Sequence, residues 1–215
     1  NCAVIHLTLV PFLSAAGELK TKPTQHSVKT LLEQGVQPDI IVCRSERHLN
    51  ESIRGKIAQF CNVEVTSVIE SIDASSIYEV PMLMLEEKLD IEVLRKTNTA
   101  IPEKIDISKW QHFLQRLNNP VHQVTVALVG KYVELKDAYK SINEAFIHGG
   151  VANECHVKVK YVHSEHVDHE HLDEFLSDVD GILVAPGFGG RGIEGKILAI
   201  EYARTNNIPF FGICL

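Results

Sequence analysis

Short apolar strands alternate with amphipathic segments along this chain, and that alternation limits the folds it can adopt. Segment 39–44 is almost continuous in apolar and β-branched residues, as in strands buried on both faces of a sheet. Segments 3–10 and 65–71 also read as strands, and segments 24–34 and 50–61 between them have helical spacing. Alternation of this kind predicts an open, mostly parallel sheet covered by helices, whose ligands bind beyond the carboxyl ends of the strands.

The same alternation restarts in the second half of the chain. A helix is predicted over 137–148, and Gly149-Gly150 marks its expected end. We therefore predict two incomplete α/β domains, over 1–98 and 122–215, joined by a helical linker over 99–121. Further strands are predicted at 124–130, 156–163, 180–185 and 209–215, with further helices at 82–88, 91–96, 106–118 and 193–205.

Composition excludes several classes of function. The formal net charge of −7 argues against nonspecific binding to nucleic acid, and no apolar run approaches the roughly 18 residues of a membrane helix. The odd number of scattered cysteines, without a Cys-x-x-Cys pair, indicates reduced thiols in the cytoplasm. Because a strand opens the chain abruptly, we expect both ends to be cut from a longer protein. The cysteines are Cys2, Cys43, Cys61, Cys155 and Cys214.

The loop over 17–27 has the chemistry of an anion site. Lys20 and Lys22 supply positive charge, and a helix is predicted to begin close to Pro23. Amides at a helix start favour phosphate, and lysine adds a point charge. The alternative is a solvated loop in which Thr24 or Ser27 caps the helix, and the local residues leave both interpretations open.

The last apolar run ends in Gly212-Ile213-Cys214, which is typical of a strand that delivers a nucleophile through a tight turn. The glycine-rich loop 186–192 follows the preceding strand, and one of its amides would stabilise an oxyanion. A cysteine facing such an amide suits acyl transfer through a thioester. A small buried thiol at a strand end is the equally open alternative.

Two further segments imitate known sites. Segment 163–171 contains four histidines among several carboxylates, yet it has no fixed helical ligand pair, and we interpret it as a solvated loop. Segment 190–196 has the Gly-x-x-x-x-Gly-Lys spacing of a phosphate-binding loop. Ile197 stands where that motif requires Ser or Thr, so we reject a phosphate-binding loop there.

Several of these segments resemble the CTP synthase family, in the same order over nearly the whole chain. The loop departs from that family at one position: Ala185-Pro186-Gly187-Phe188-Gly189 stands where the family usually has Pro-Gly-Gly-Phe-Gly, and Pro186 has no N–H to donate. Segments 20–28, 37–44 and 56–61 resemble the synthetase half, and segments 130–132, 137–141, 186–195 and 212–215 resemble its class I glutamine amidotransferase domain.

The resemblance implies roles for particular residues. Cys214 is implied as the nucleophile, with the Gly187 amide at the oxyanion and glutamine. Arg191, Gly192 and Glu194 are implied in a lid linked to activation by GTP. Contacts to ATP are implied for Arg44, Asp73 and Ala74. Contacts to UTP, or to CTP as feedback inhibitor, are implied for Lys20, Thr21, Lys22, Pro23, Thr24, Gln25 and Lys56.

The resemblance also implies the activity of the whole enzyme: a cytoplasmic homotetramer that aminates UTP with ammonia from glutamine, using ATP and Mg²⁺. It implies a P-loop-like synthetase part and a flavodoxin-like amidotransferase part. The magnesium ligands are expected before Asn1, and the His and Glu that activate Cys214 after Leu215, so we expect this chain alone to be inactive. Another class I amidotransferase and a non-catalytic nucleotide-binding or filament-forming protein remain the alternatives.

Overall fold

The computed structural model describes residues 2–135 and 137–214. Their contacts divide the chain into two compact units, Asn1–Asp106 and Ile107–Leu215. The division falls within the segment 99–121 that was predicted as a linker. No helix among the described residues is long and apolar enough to cross a bilayer.

Three parallel strands form the main sheet of the first unit, in the order β1-β4-β5. Ile5 pairs with Ile40, and Ile41 with Val68, in this sheet. A separate antiparallel pair, β2 with β3, lies in the loop after β1. The elements of this unit are β1 (Ile5–Leu9), β2 (Phe12–Leu13), β3 (Glu18–Leu19), α1 (Lys22–Glu33), β4 (Ile40–Ser45), α2 (Glu51–Cys61), a 3-10 turn (Val65–Ser67), β5 (Val68–Ile72), α3 (Val80–Glu86) and α4 (Leu89–Lys96).

Both faces of β4 are buried, which explains its almost continuous apolar sequence. Ile41 and Cys43 face a core formed with α1 and α2, whereas Ile40 and Val42 face residues of α3 and α4. Asn50 caps α2, because its Oδ1 accepts a hydrogen bond from the Ile53 amide at 2.9 Å.

Four parallel strands form the sheet of the second unit, in the order β7-β6-β8-β9. Numbered within the unit, this is 2-1-3-4, which matches the first four strands of the flavodoxin-like order. Both sheets confirm the predicted open, parallel α/β class. The elements are α5 (Ser108–Asn118), β6 (His122–Gly130), α6 (Lys140–Ala152), β7 (Cys155–His163), α7 (Leu172–Leu176), β8 (Gly181–Val184), α8 (Ile193–Thr205) and β9 (Phe210–Gly212).

Some predicted boundaries were wrong for identifiable reasons. The helix predicted to stop before Gly149-Gly150 continues through both glycines to Ala152. Gly150 is needed there for close packing, since a Cβ on it would overlap the carbonyl oxygen of Cys155 at the start of β7. The strand predicted from Val65 begins with a 3-10 turn, and the β2–β3 hairpin was predicted as plain loop.

Candidate functional site

Strand β9 places Cys214 at the carboxyl edge of the second sheet. β9 pairs with β8 through Val184 and Gly212, and the Ile213 amide extends the pairing by donating to the Val184 carbonyl at 3.0 Å. Cys214 then adopts a left-handed backbone, with φ of 62°. This conformation is uncommon for a non-glycine residue and is found at functional turns. The strained turn is the feature expected of a nucleophile at a strand end.

The glycine-rich loop follows β8 and lies at the same edge. The Ala185 amide donates to the Val129 carbonyl at 2.9 Å, which ties the start of the loop to β6. Gly189 and Gly192 have φ of 85° and 71°, which only glycine adopts without strain. Gly192 is the N-cap of α8. The loop therefore turns sharply from β8 into α8.

Cys214 and the loop share a cavity of about 520 Å³, within the size range of small-molecule sites. The loop contributes Gly187, helix α8 contributes Lys196, and β9 contributes its end. The structure therefore brings together the predicted nucleophile and the predicted oxyanion glycine. Apolar side chains of α8 and β9 supply much of the remaining wall: Ile193, Ile197, Ile200 and Phe210.

Lys196 is a buried cation in this cavity wall. Only 5% of the residue is exposed, and its Nζ donates to the Ala185 carbonyl at 2.9 Å. Burial lowers the pKa of the Lys196 ammonium below its usual value, and the charge of Lys131 lowers it further, while the electrostatic influence of Cys214 opposes both. Lys196 is the lysine of the rejected phosphate-binding motif, and it is engaged with the protein's own backbone.

A second buried lysine lies behind the loop. Lys131 directly follows β6 and is 4% exposed, and its Nζ donates to the Phe188 carbonyl. Its ammonium also lies 5.6 Å from the centre of the Tyr132 ring. Neither lysine was among the site residues predicted from the sequence. A lysine immediately after a buried strand, at the carboxyl edge of a parallel sheet, was the signal that could have identified Lys131.

The predicted lid residues lie at the start of α8. Arg191 forms an ion pair with Glu165 at 2.8 Å, and its guanidinium carbon lies 5.7 Å from the centre of the Tyr132 ring. Gly192 packs so closely on the Ser164 hydroxyl that a Cβ would overlap it. Glu194 is exposed in the first turn of α8, where the positive end of the helix stabilises an acidic side chain. A role in activation by GTP stays a prediction.

The first unit has a polar cavity of about 630 Å³ beside the start of α1. Thr21 is the N-cap residue of α1 and makes no side-chain cap bond, so the positive end of the helix faces the cavity without that cap. Lys20 is paired with Glu18, and that hydrogen bond and charge lower the pKa of the Glu18 carboxyl. The lining comprises residues 18–22 together with Asn50, Ser52, Ile53 and Lys56.

Four of the seven residues predicted to contact UTP line this cavity, and three do not. Lys20, Thr21, Lys22 and Lys56 come together there although they come from two separate segments.

The other three, Pro23, Thr24 and Gln25, lie in the first turns of α1. Thr24 is fully buried, and its hydroxyl donates to the Leu9 carbonyl at 3.1 Å, so it braces α1 on β1 instead of capping the helix. Gln25 donates to the Thr21 hydroxyl at 3.1 Å.

The residues predicted to contact ATP lie near the carboxyl ends of β4 and β5. Arg44 donates to Asp73 at 3.3 Å, with both side chains at least half exposed, and Ala74 follows in the chain. The structure therefore brings Arg44 and Asp73 together at one sheet edge, and their contact with a nucleotide stays a prediction.

The histidine-rich segment forms local pairs. The rings of His163 and His166 stack with centroids 4.7 Å apart, and His171 contacts Asp168 at 2.7 Å. Over residues 2–135 and 137–214, no three His, Cys, Asp or Glu side chains are grouped to hold a metal ion.

Two family models match separate parts of the chain. Residues 1–99 match the family described as CTP synthase N-terminus, and residues 134–215 match glutamine amidotransferase class-I. The first range contains the lysine-lined cavity, and the second contains the Cys214 cavity.

Several relatives match the chain along its whole length or nearly so. CTP synthases of Flavobacterium johnsoniae and Flavobacterium psychrophilum are 60% and 63% identical over the whole chain, which covers 40% of each. That of Cytophaga hutchinsonii is 61% identical over 99% of the chain and 39% of its own length. The chain thus spans about two fifths of the length of these relatives.

One solved structure is also similar in sequence. It is the glutaminase domain of Trypanosoma brucei CTPS with bound acivicin, 40% identical over 41% of this chain and 35% of that chain, with a TM-score of 0.39. The two family models in succession, and relatives at about 60% identity along the whole chain, assign the sequence. The chain belongs to the CTP synthase family.

Proposed function

We propose that the protein containing this chain converts UTP to CTP, with ATP as phosphoryl donor and glutamine as the source of ammonia. The observation that carries the proposal is Cys214 on its strained turn, facing Gly187 across a cavity of about 520 Å³. The assignment of the chain to the CTP synthase family supports it.

In the glutaminase half, the Cys214 sulfur attacks the carboxamide carbon of glutamine. The carbonyl oxygen becomes an oxyanion, which the Gly187 amide stabilises. Collapse of this intermediate breaks the C–N bond and releases ammonia, and water then hydrolyses the glutamyl thioester to glutamate. A general base carries the thiol proton to the leaving nitrogen.

In the synthetase half, the 4-oxygen of UTP attacks the γ-phosphorus of ATP and ADP leaves. Ammonia then attacks C4 and displaces the phosphate, giving CTP. The lysine-lined cavity supports a triphosphate ligand because three ammonium groups and a helix start lie around it. Mg²⁺ would accompany ATP in this proposal, held by phosphate oxygens together with one or two carboxylates.

Regulation and setting are part of the same proposal. Activation by GTP through Arg191, Gly192 and Glu194 is supported by the place of these residues beside the cavity, where Arg191 joins the loop to Glu165. Feedback inhibition by CTP would use the lysine-lined cavity. We also propose a homotetramer in the cytoplasm, where free thiols such as Cys214 and Cys155 stay reduced.

The test compares Cys214→Ala with Cys2→Ala, which removes another exposed thiol, in the full-length protein. Loss of the nucleophile should lower glutamine-dependent CTP formation by at least about 10³-fold. CTP formation from added ammonia should persist, because the synthetase site is separate. Cys2→Ala should keep both activities. Glutamine-dependent synthesis that survives in Cys214→Ala would falsify the proposal.

A further inference from the structure

The short segment 185–188, which contains the Gly187 amide, is held at both ends by buried ammonium groups. Lys196 of α8 donates to the Ala185 carbonyl at 2.9 Å, and Lys131 after β6 donates to the Phe188 carbonyl. Both lysines are at least 95% buried. Burying an ammonium costs free energy unless it is hydrogen-bonded, so a lysine that served only to fill space would be less favourable than a methionine at either position.

Lys131 also explains why residue 187 is a glycine. The two glycines of the loop with left-handed backbones are Gly189 and Gly192, and the backbone of Gly187 is one that any residue adopts. A Cβ on Gly187 would lie only 2.6 Å from the Cε of Lys131. The lysine stem therefore occupies the space of a side chain at 187, and the two positions are coupled through direct packing.

The turn that presents Lys131 is itself fixed. Tyr139 is 4% exposed and packs on Gly130, where a Cβ would overlap its ring hydroxyl. The Tyr132 amide donates to the same hydroxyl at 3.2 Å. Because the residues on both sides of Lys131 are anchored to Tyr139, the ammonium approaches the Phe188 carbonyl from a defined direction.

We propose that Lys131 is a positioning residue for glutamine hydrolysis: it fixes the Phe188 end of the segment so that the Gly187 amide meets the oxyanion, while Lys196 fixes the Ala185 end. This inference rests on the proposed glutaminase function. Preorganised donors supply rate only when they are held in place before the reaction. Lys131 thus acts through the loop, without touching the substrate.

The first experiment measures glutamine hydrolysis by the full-length protein with Lys131→Met, which keeps the length of the side chain but removes its charge. Loss of one oxyanion donor typically costs 10²–10³-fold in kcat, so we expect kcat to fall about 10²-fold while KM changes by less than about threefold. Lys131→Arg should recover at least a tenth of the wild-type kcat. The rate at which iodoacetamide alkylates Cys214 in Lys131→Met should stay within about threefold of the wild-type rate, because alkylation needs no oxyanion donor.

The second experiment is a double-mutant cycle between positions 131 and 187. Gly187→Ala alone should lower kcat strongly because its Cβ displaces the lysine. In a Lys131→Ala background the same substitution should cost at least about tenfold less. Lys158→Met, on the exposed face of β7, is the matched control and should leave hydrolysis unchanged. Ammonia-dependent CTP formation shows that each variant is folded.

The outcomes separate the inference from the proposed function. A wild-type protein that hydrolyses no glutamine would overturn the proposed function. If the wild-type protein is active, two results would overturn the positioning role alone. One is that Lys131→Met hydrolyses glutamine as fast as the wild type. The other is that substitutions at positions 131 and 187 have independent effects. A parallel loss of hydrolysis and of ammonia-dependent synthesis in Lys131→Met would also overturn it, because the lysine would then be needed for the fold.

Discussion

The two cavities use lysine in opposite ways. In the first unit, Lys22 and Lys56 are exposed beside an open polar cavity, whereas in the second unit Lys131 and Lys196 are buried and donate to backbone carbonyls. An exposed ammonium is free to meet a charged ligand, and a buried one is committed to its protein partner. Burial therefore separates lysines that are available to a ligand from lysines that hold the backbone of a cavity wall.

The largest expected effect is on UTP binding. Charge-assisted hydrogen bonds contribute about 1.5–3 kcal/mol each, so the double variant Lys22→Met/Lys56→Met should raise the KM for UTP by at least about 100-fold. Glutamine hydrolysis measured separately should change by less than about twofold. Lys29→Met, an exposed lysine of α1 outside the cavity lining, is the matched control. An unchanged KM for UTP in the double variant would contradict the prediction that the exposed lysines of the first cavity bind UTP.

A buried thiol offers the next effect, on stability at alkaline pH. Burial raises the pKa of the Cys43 thiol to about 11, from an ordinary value of 9.0. At a pH between these two pKa values, the Cys43 thiol is deprotonated in the unfolded chain and still protonated in the folded chain. The stabilisation is therefore complete below about pH 9 and is lost as the pH rises to about 11, by roughly 2–3 kcal/mol.

Urea unfolding at several pH values tests this expectation. Cys43→Val should show a smaller decline between pH 9 and 11 than the wild type, and Cys2→Val, which removes an exposed thiol, should decline like the wild type. An equal decline in Cys43→Val and the wild type would contradict a role of this thiol.

Salt should distinguish the cavities by a smaller margin. Exposed charges are screened beyond about 10 Å at 0.1 M ionic strength, and buried groups are screened much less. Raising KCl from about 0.05 to 0.5 M should weaken UTP binding about tenfold, while the KM for glutamine stays within about twofold. Equal salt dependence of the two KM values would show that burial does not separate the two lysine sets. Matched potassium acetate in place of KCl controls for specific chloride binding.

The smallest effect concerns Thr24, which was predicted as a UTP contact. Its buried hydroxyl donates to the Leu9 carbonyl, so Thr24→Val should lower the free energy of unfolding by about 1 kcal/mol. The KM for UTP should change by less than about threefold. Thr24→Ser keeps the hydroxyl and is the control. A large rise in the KM for UTP in Thr24→Val, with an unchanged free energy of unfolding, would show that Thr24 contacts the ligand.

Periodicity predicted the sheets well because it records burial. The run at 39–44 became β4, shifted by one residue, since both of its faces are covered. Gly149-Gly150 misled the prediction because a glycine that ends a helix and one that admits a neighbouring strand look alike in sequence. Only the position of β7 against α6 distinguishes these uses.

The candidate site residues were predicted from their residue types, whereas the buried residues that hold them in place were not. Cys214, Gly187 and the lysines of loop 17–27 carry their chemistry in the sequence. The contacts of Lys131 and Lys196 join positions 57 and 11 residues apart, and no local pattern encodes them. Thr24 shows the reverse case, since it was predicted as a ligand contact and its hydroxyl instead donates to the Leu9 carbonyl.

Pro186, between the two clamped carbonyls, has a consequence for the unfolded chain. A proline there has far fewer backbone conformations to lose than a glycine, and it also restricts Ala185 to extended conformations. Part of the ordering of segment 185–188 is thus already present in the covalent structure, before any contact forms. The segment therefore loses less conformational entropy on folding than it would with glycine at position 186.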